Sequence, residues 1–240
     1  MKSCFDAFRL LTILPLPASG RPPGPAMLYW FPVVGAALGL VLAGVDPVMS
    51  RYIGVMSPIL LVALWLFLTR ALHVDGLGDT FDAMASVADR ARRLEILRDP
   101  HIGTVGASVV ALVLIAKVAA LSGTWGHARS MALLTAPAIA RWPIVMACAI
   151  FPYARKEGLG AAFIGHAGWT HVGFTTGLAL VSMVLVPLNM IPWILGSAVL
   201  AGLGTAFMAN RSFGGITGDV LGAMVEIGEC AVLMVWSCQR

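Results

Sequence analysis

Apolar residues in this chain come in long runs rather than in narrow stripes. Runs close to the roughly 20 residues that a helix needs to cross a bilayer lie at 27–45, 53–72, 104–122, 131–151, 172–188, 190–209 and 220–238. They predict seven membrane spans. The fifth and sixth are separated only by the neighbourhood of Pro187, Leu188 and Asn189, which also suits a tight hairpin or a broken pair. Residues 4–14 follow another pattern, in which helical spacing puts Cys4, Phe8 and Leu11 on one face and Asp6 with Arg9 on another. That is the pattern of a helix lying in the membrane interface. Pro15 and Pro17 close it, and the Gly- and Pro-rich stretch 18–25 reads as an extended linker. The fold expected is an all-α integral membrane protein, a polytopic helical bundle with about seven transmembrane helices and an amino-terminal interfacial helix.

Composition supports the class. Of 240 residues 59% are hydrophobic and 12% charged, against roughly 25% charged in a soluble domain, and the mean hydropathy is +0.88. The net charge of +4 therefore reads as topology rather than as nucleic-acid binding, because Lys and Arg near span ends concentrate on the cytoplasmic side. With the amino terminus inside, the inner segments hold Lys2, Arg9, Arg21, Arg70, Arg90, Arg92, Arg93, Arg98, Arg155, Lys156 and Arg211, and the outer ones only Arg51, Arg129 and Arg240. The split favours an odd number of spans and puts every charged loop motif on the cytoplasmic side. Cys4, Cys148, Cys230 and Cys238 have no metal-binding spacing and read as small apolar residues. Asp6, Pro15 and the lack of a small-residue cleavage site argue against a cleaved signal peptide.

Against this background one stretch stands out, His73-Val74-Asp75-Gly76-Leu77-Gly78-Asp79-Thr80-Phe81-Asp82. On a helix Asp75, Asp79 and Asp82 project from one face. A helix start alone would account for one acid near the positive end of the dipole. Three carboxylates in so apolar a setting need a counter-charge, and Mg²⁺ suits them because it accepts one or two carboxylates and keeps places for water and phosphates. Gly76 and Gly78 would let a phosphate approach the backbone.

Further constellations are weaker alone. Arg98-Asp99-Pro100-His101-Ile102-Gly103-Thr104-Val105-Gly106 reads either as a loop before a helix or as a phosphate cradle made by Arg98 and the amides near Gly103 and Gly106. Lys117 and Arg141 fall inside spans, where a charge faces a partner or polar cavity unless it snorkels to an interface. The inner stretch 153–160 is ordinary loop composition. Arg211-Ser212-Phe213-Gly214-Gly215-Ile216-Thr217-Gly218-Asp219 packs glycines, hydroxyls, a base and a carboxylate together, and Glu226 and Glu229 continue into the last span. A second acidic group facing the first would complete a metal site. These features describe a membrane enzyme that handles phosphates with a divalent metal at the cytosolic border. The rival from another class is a cation-coupled transporter, whose charged residues favour the midplane and repeated halves.

At these residues the chain resembles the cobalamin-5′-phosphate synthases, or adenosylcobinamide-GDP ribazoletransferases. Their pattern His-x-Asp-Gly-Leu-x-Asp-x-x-Asp-Gly is matched from His73 to Asp82, with Ala83 where glycine is usual. Arg98-Asp99, Gly103 with Gly106, the stretch 153–160 with Phe163-Ile164-Gly165, and Gly214-Gly215-Ile216-Thr217-Gly218-Asp219 match in order. Pro100-His101 stands where members commonly have Ser-Arg. The resemblance implies a single membrane domain over 1–240, with a cytosolic-side catalytic segment around 70–103. It implies transfer of α-ribazole, or its 5′-phosphate, onto adenosylcobinamide-GDP with release of GMP and with Mg²⁺ as cofactor. The setting is the bacterial cytoplasmic membrane, the bilayer is the only other partner expected, and a homo-oligomer is compatible with such a chain. Asp75, Asp79 and Asp219 are then expected to hold the metal, and Asp82 or His73 to take the proton. Arg98, Lys117, Arg141, Arg155, Arg211, Gly214, Gly215 and Thr217 are expected to handle phosphate, with Asp99 and Glu226 as further acids. A CDP-alcohol-type phosphotransferase is the second reading, although its Asp-Gly-x-x-Ala-Arg pattern is absent.

Overall fold

The computed structural model describes residues 2–18, 20, 22–155 and 157–239; Arg21, Lys156 and Arg240, which entered the charge tally, lie outside them. The described residues are helical, with one isolated parallel bridge between Tyr153 and Ile216. The helices are α1 (Lys2–Leu11), α2 (Phe31–Ile53), α3 (Ser57–Leu68), α4 (Leu72–Ala85), α5 (Arg90–Ile96), α6 (Thr104–Ser122), α7 (Gly126–Ala140), α8 (Trp142–Ile150), α9 (Trp169–Ser182), α10 (Ile191–Phe213) and α11 (Gly218–Ser237).

Among the described residues, five helical stretches are long and apolar enough to cross a membrane: Pro25–Leu68, Thr104–Ser122, Gly126–Ile150, Ile191–Phe213 and Gly218–Ser237. The expected count of seven is thus not reproduced by length and composition, for two reasons. The first two apolar runs share one 44-residue stretch, in which α3 packs back on α2 after Gly54, whose φ of 61° breaks the helix. The run 172–188 is helical only as far as Ser182, so α9 has 14 residues, about 21 Å at 1.5 Å per residue and short of a bilayer core of roughly 30 Å.

Burial orders the bundle. In their apolar windows the α7–α8 stretch is 78% and α11 72% buried, against 22% for α6 and 28% for α10. The former are the axis and the latter show apolar faces, with Leu112, Ile115 and Leu200 exposed. One apolar cluster gathers Phe31, Leu38, Ile144, Phe163, Phe213 and Val220, and a second gathers Leu42, Leu61, Trp65, Leu133, Trp142 and Trp236. The amphipathic α1 buries Ala7 and Leu11 and exposes Phe5, as an interfacial helix should. Arg70 fixes its end by donating to the carbonyls of Arg9 (3.0 Å) and Leu10 (3.1 Å).

Charge inside the bundle is paired. Lys117 Nζ on α6 donates to Glu226 Oε2 (2.6 Å) and Glu229 Oε2 (2.7 Å) on α11. Arg141, at the break between α7 and α8, donates to Glu229 Oε1 (2.8 Å) and to the Pro137 carbonyl (2.7 Å). Nearer the opposite end of α2, Arg129 pairs with Asp46 at 2.9 Å.

Candidate active site

The acidic stretch forms α4, a short helix that packs against α11 and α6. It enters after Arg70 and Ala71, both in the left-handed region at φ 54° and 52°, a conformation that costs non-glycine residues energy and marks a tight junction. Glycine decides how α4 meets α11. A Cβ on Gly76 would stand 2.6 Å from the Asp219 carbonyl oxygen, and one on Gly222 would stand 3.2 Å from His73 Cα. Small residues let helix backbones approach closely, so Asp75 and Asp79 on α4 come to the same place as Asp219 in the first turn of α11. The expected use of Gly76, a close approach to phosphate, is therefore replaced by a close approach between helices. Gly78 likewise faces a side chain, Ile102.

The acids crowd. Partial burial, followed by the charges of Asp75, Asp219 and Asp82, pushes the Asp79 carboxyl up to about 7. Among the described residues no group of three or more acidic, histidine or cysteine side chains is placed to hold a metal ion by itself. The donor chemistry nonetheless fits a hard divalent cation. All three donors are carboxylates, their repulsion would be relieved by a cation, and an open ligand set suits Mg²⁺, which keeps water and phosphate oxygens as ligands.

Asp219 is held by two neighbours. Arg155 Nη2 bonds its Oδ2 at 2.9 Å and also donates to the Leu97 carbonyl at 2.9 Å, while Thr217 Oγ1 donates to the same Oδ2 at 3.1 Å. The bridge between Tyr153 and Ile216 creates this arrangement: Ala154 N–H donates to the Ile216 carbonyl (3.0 Å) and Ile216 N–H to that of Pro152 (2.9 Å). Gly215 permits it, since a Cβ there would lie 2.6 Å from the Pro152 oxygen. Gly214 ends α10 at φ 67°, against the Arg90 guanidinium. Thr217 caps α11 by accepting from Val220 N–H at 3.4 Å. Gly214, Gly215 and Thr217 thus build the loop that sets Asp219 beside Arg155.

A cavity of about 250 Å³ opens at this point, with His73, Asp75, Tyr153, Arg155 and Asp219 on its polar side. His73 is buried, neither ring nitrogen has a partner, and burial, Arg141 and Lys117 together hold its pKa well below the usual histidine value. Arg98 is exposed and close enough to act on the Tyr153 hydroxyl, which burial keeps protonated.

Several expected site residues have other places. Asp82 accepts from the backbone N–H of Gly103 (2.7 Å) and Gly106 (2.8 Å), one amide on each carboxylate oxygen. The anion held at the start of α6 is thus the protein's own carboxylate, and any Cβ at Gly103 or Gly106 would strike it. Asp82→Ala should lower thermal stability in detergent by about 2 kcal/mol, the upper range for losing a helix cap, and Gly106→Ala should do the same by displacing that carboxylate. Lys117 and Arg141 spend their charge on Glu226 and Glu229 and do not line the cavity, and Glu226 serves Lys117. By the rise of α11, that group lies about 10–15 Å beyond Asp219. Arg211 is exposed over the Phe207 ring, 4.7 Å from its centroid. Asp99 is exposed and engaged with His101 at 2.7 Å. Tyr153 was legible only as part of a loop, and the apolar lining residue Phe31 carries no sequence signal that separates it from core.

A cobalamin-5-phosphate synthase family model matches residues 3–237. The chain belongs to the cobalamin-5-phosphate synthase family. Proteins named adenosylcobinamide-GDP ribazoletransferase are similar over nearly the whole length. The one from Chlorobium phaeovibrioides is 35% identical over 238 residues, covering 96% of this chain and 94% of the relative. The one from Pseudomonas paraeruginosa is 37% identical over 250 residues, covering 98% and 97%, and the one from Syntrophobacter fumaroxidans is 38% identical over 213, covering 87% and 85%. No solved structure matches the chain. In cobalamin-5-phosphate synthase terms, two of the sequence blocks that carry the resemblance, on α4 and at the start of α11, meet at one cavity.

Proposed function

We propose that this chain joins α-ribazole, or its 5′-phosphate, to adenosylcobinamide-GDP and releases GMP, completing the nucleotide loop of a cobalamin. The observation that carries the reading is the meeting of Asp75 and Asp219, from two segments far apart in sequence, beside Arg155 at one cavity, with Asp79 near enough to feel both charges. Displacement at phosphorus needs in-line positioning and charge neutralisation above all.

Asp75, Asp79 and Asp219 would hold Mg²⁺, which when bound neutralises the diphosphate oxygens. Arg155 steadies Asp219 and offers a guanidinium to phosphate, and the exposed Arg98 draws the anionic donor to the mouth. A ribazole hydroxyl attacks the phosphorus that bears the cobinamide, its proton passes to a base, and the bond to GMP breaks. His73 is the better base. His73 lines the cavity, its ring nitrogens are buried without partners and it is held neutral, whereas both Asp82 oxygens are engaged by backbone amides. Base catalysis contributes roughly 10²–10⁴-fold, so His73→Gln should lose that much in the rate of GMP release and lose the acid limb of the pH profile. That limb lies below the usual histidine pKa, because the base must be neutral to act. A full acid limb in His73→Gln would assign the base elsewhere.

The site faces the cytoplasm in this reading, with the bundle in the bacterial cytoplasmic membrane, and the excess of basic residues at the site end supports that orientation. Ala85 is exposed at the end of α4. A cysteine placed there should stay unlabelled by a membrane-impermeant thiol reagent in intact cells and label after permeabilisation; labelling in intact cells would reverse the orientation.

A further inference from the structure

We propose that a groove along α1 seats the phosphate of an anionic phospholipid, and that the bound lipid braces one wall of the catalytic cavity.

The groove follows the polar side of α1. Lys2, Asp6 and Arg9 are spaced by four and three residues and so share one face of the helix, away from Ala7 and Leu11, which are buried against the bundle. Two hollows of about 310 and 320 Å³ lie against that face, and because Asp6 and Met27 line both, they form one groove. Pro22, Pro23 and Met27 make its far wall, at the entry to the helical turn Pro25–Trp30. Hydrogen bonds hold the walls together. Trp30 Nε1 donates to Ser3 Oγ at 3.2 Å, and Arg70 Nη2 donates to the carbonyls of Arg9 and Leu10. The groove is therefore formed before any ligand arrives.

Charge selects an anion. Lys2, Arg9 and Arg70 line the groove against a single carboxylate, Asp6. Arg9 and Arg70 border the same hollow, where two guanidiniums can grip phosphate oxygens, and the backbone bonds of Arg70 keep its guanidinium in place. Location selects a lipid. α1 is the helix that has the pattern of lying in the membrane interface, and apolar surface is bare beside the groove. Phe5, four residues before Arg9, is 43% exposed, and Ile13 and Leu14 just past the helix are exposed too. A phosphate carrying acyl chains satisfies both the cations and this surface, whereas a soluble phosphate satisfies the cations alone. Basic pockets at the cytoplasmic border take anionic headgroups in this way.

The groove and the catalytic cavity share a partition. Leu10 lines both, and Leu11 lines the cavity, so α1 stands between the two spaces. A lipid gripped by Arg9 and Arg70 fixes the helix that carries this wall. Its consequence for turnover rests on the reaction proposed above.

Native mass spectrometry of the full chain, in detergent holding equal phosphatidylglycerol and phosphatidylcholine, tests the groove without the reaction. The wild type should retain phosphatidylglycerol in preference, and the double variant Lys2→Gln/Arg9→Gln should weaken that retention by about fivefold for each cation removed. Arg92→Gln, at an exposed arginine of α5 outside the groove, should leave it unchanged, and soluble glycerophosphoglycerol should not displace the lipid. No preference for phosphatidylglycerol, an equal loss in Arg92→Gln, or displacement by the soluble headgroup would overturn the proposal. In vesicles, GMP release by the wild type should be faster with phosphatidylglycerol present than in phosphatidylcholine alone, and the double variant should lose that gain. A full gain in the double variant would overturn the bracing role. If no vesicle supports GMP release, the reaction is at fault, and thiol labelling of Leu10→Cys decides instead: phosphatidylglycerol slows it where the wall is braced, and an unchanged rate overturns the bracing.

Discussion

Gly76→Ala is expected to lower turnover by about 10²-fold while removing no functional group. The added methyl would stand 2.6 Å from the Asp219 carbonyl oxygen and 3.0 Å from its Cα, closer than real Cβ contacts allow, so α4 must slide away from α11. The acids of the two helices then separate, and a displacement on the order of 1 Å at a catalytic constellation costs about 10²-fold. The substitution adds to helix propensity within α4, since alanine exceeds glycine by about 1 kcal/mol, which offsets part of the packing loss. Activity should therefore fall much more than thermal stability. Measuring kcat alongside the melting midpoint in detergent checks this. Parallel loss of both would make Gly76 a packing residue only, and unchanged activity would detach the α4–α11 contact from the chemistry.

The second large effect is on folding. Glu229 is fully buried and accepts from both Lys117 and Arg141, so Glu229→Ala takes from Arg141 its carboxylate and leaves Lys117 with Glu226 alone. Removing one partner of a buried ion pair typically costs 3–5 kcal/mol, a large fraction of the roughly 5–15 kcal/mol that holds a protein folded. Glu226→Gln should cost less, because Lys117 keeps Glu229 and an amide oxygen still accepts. The expected result is little folded Glu229→Ala protein after solubilisation and a milder loss for Glu226→Gln, judged by monodisperse yield and melting midpoint. If Glu229→Ala instead folds normally and loses only affinity for substrate, Lys117 and Arg141 act on phosphate after all.

What the sequence made legible follows from contrast. In so apolar a chain the acidic stretch at 73–82 and the glycine-rich stretch before Asp219 stand out, and both reach the cavity. The helical class and the interfacial α1 were equally plain. What stayed hidden depends on how distant helices meet. Helical periodicity puts Asp75, Asp79 and Asp82 on one face, yet the start of α6 takes only Asp82, and nothing in local spacing foretells that two amides will claim it. Lys117 and Arg141 were recognisable as charges needing partners, but their pairing with Glu226 and Glu229 requires the register of three helices. The expected span number is not confirmed for a related reason. Run length cannot tell a continuous helix from a helix that turns back at Gly54, nor foresee that α9 stops at Ser182. Arg155 is expected from the resemblance only to handle phosphate, and the contact of 152–154 with Ile216 brings it onto Asp219.

The most direct test is an assay of purified protein with adenosylcobinamide-GDP and α-ribazole 5′-phosphate, following GMP release and corrinoid product with and without Mg²⁺, in the wild type and in Asp75→Asn and Asp219→Asn. GMP and the joined corrinoid should form in equal amounts only with Mg²⁺. Each variant should fall by about 10²–10³-fold, the usual loss for one preorganised electrostatic group, while remaining folded. Undiminished product without divalent cation, or near-normal GMP release by the folded Asp219→Asn protein, would contradict a site built where α4 meets α11.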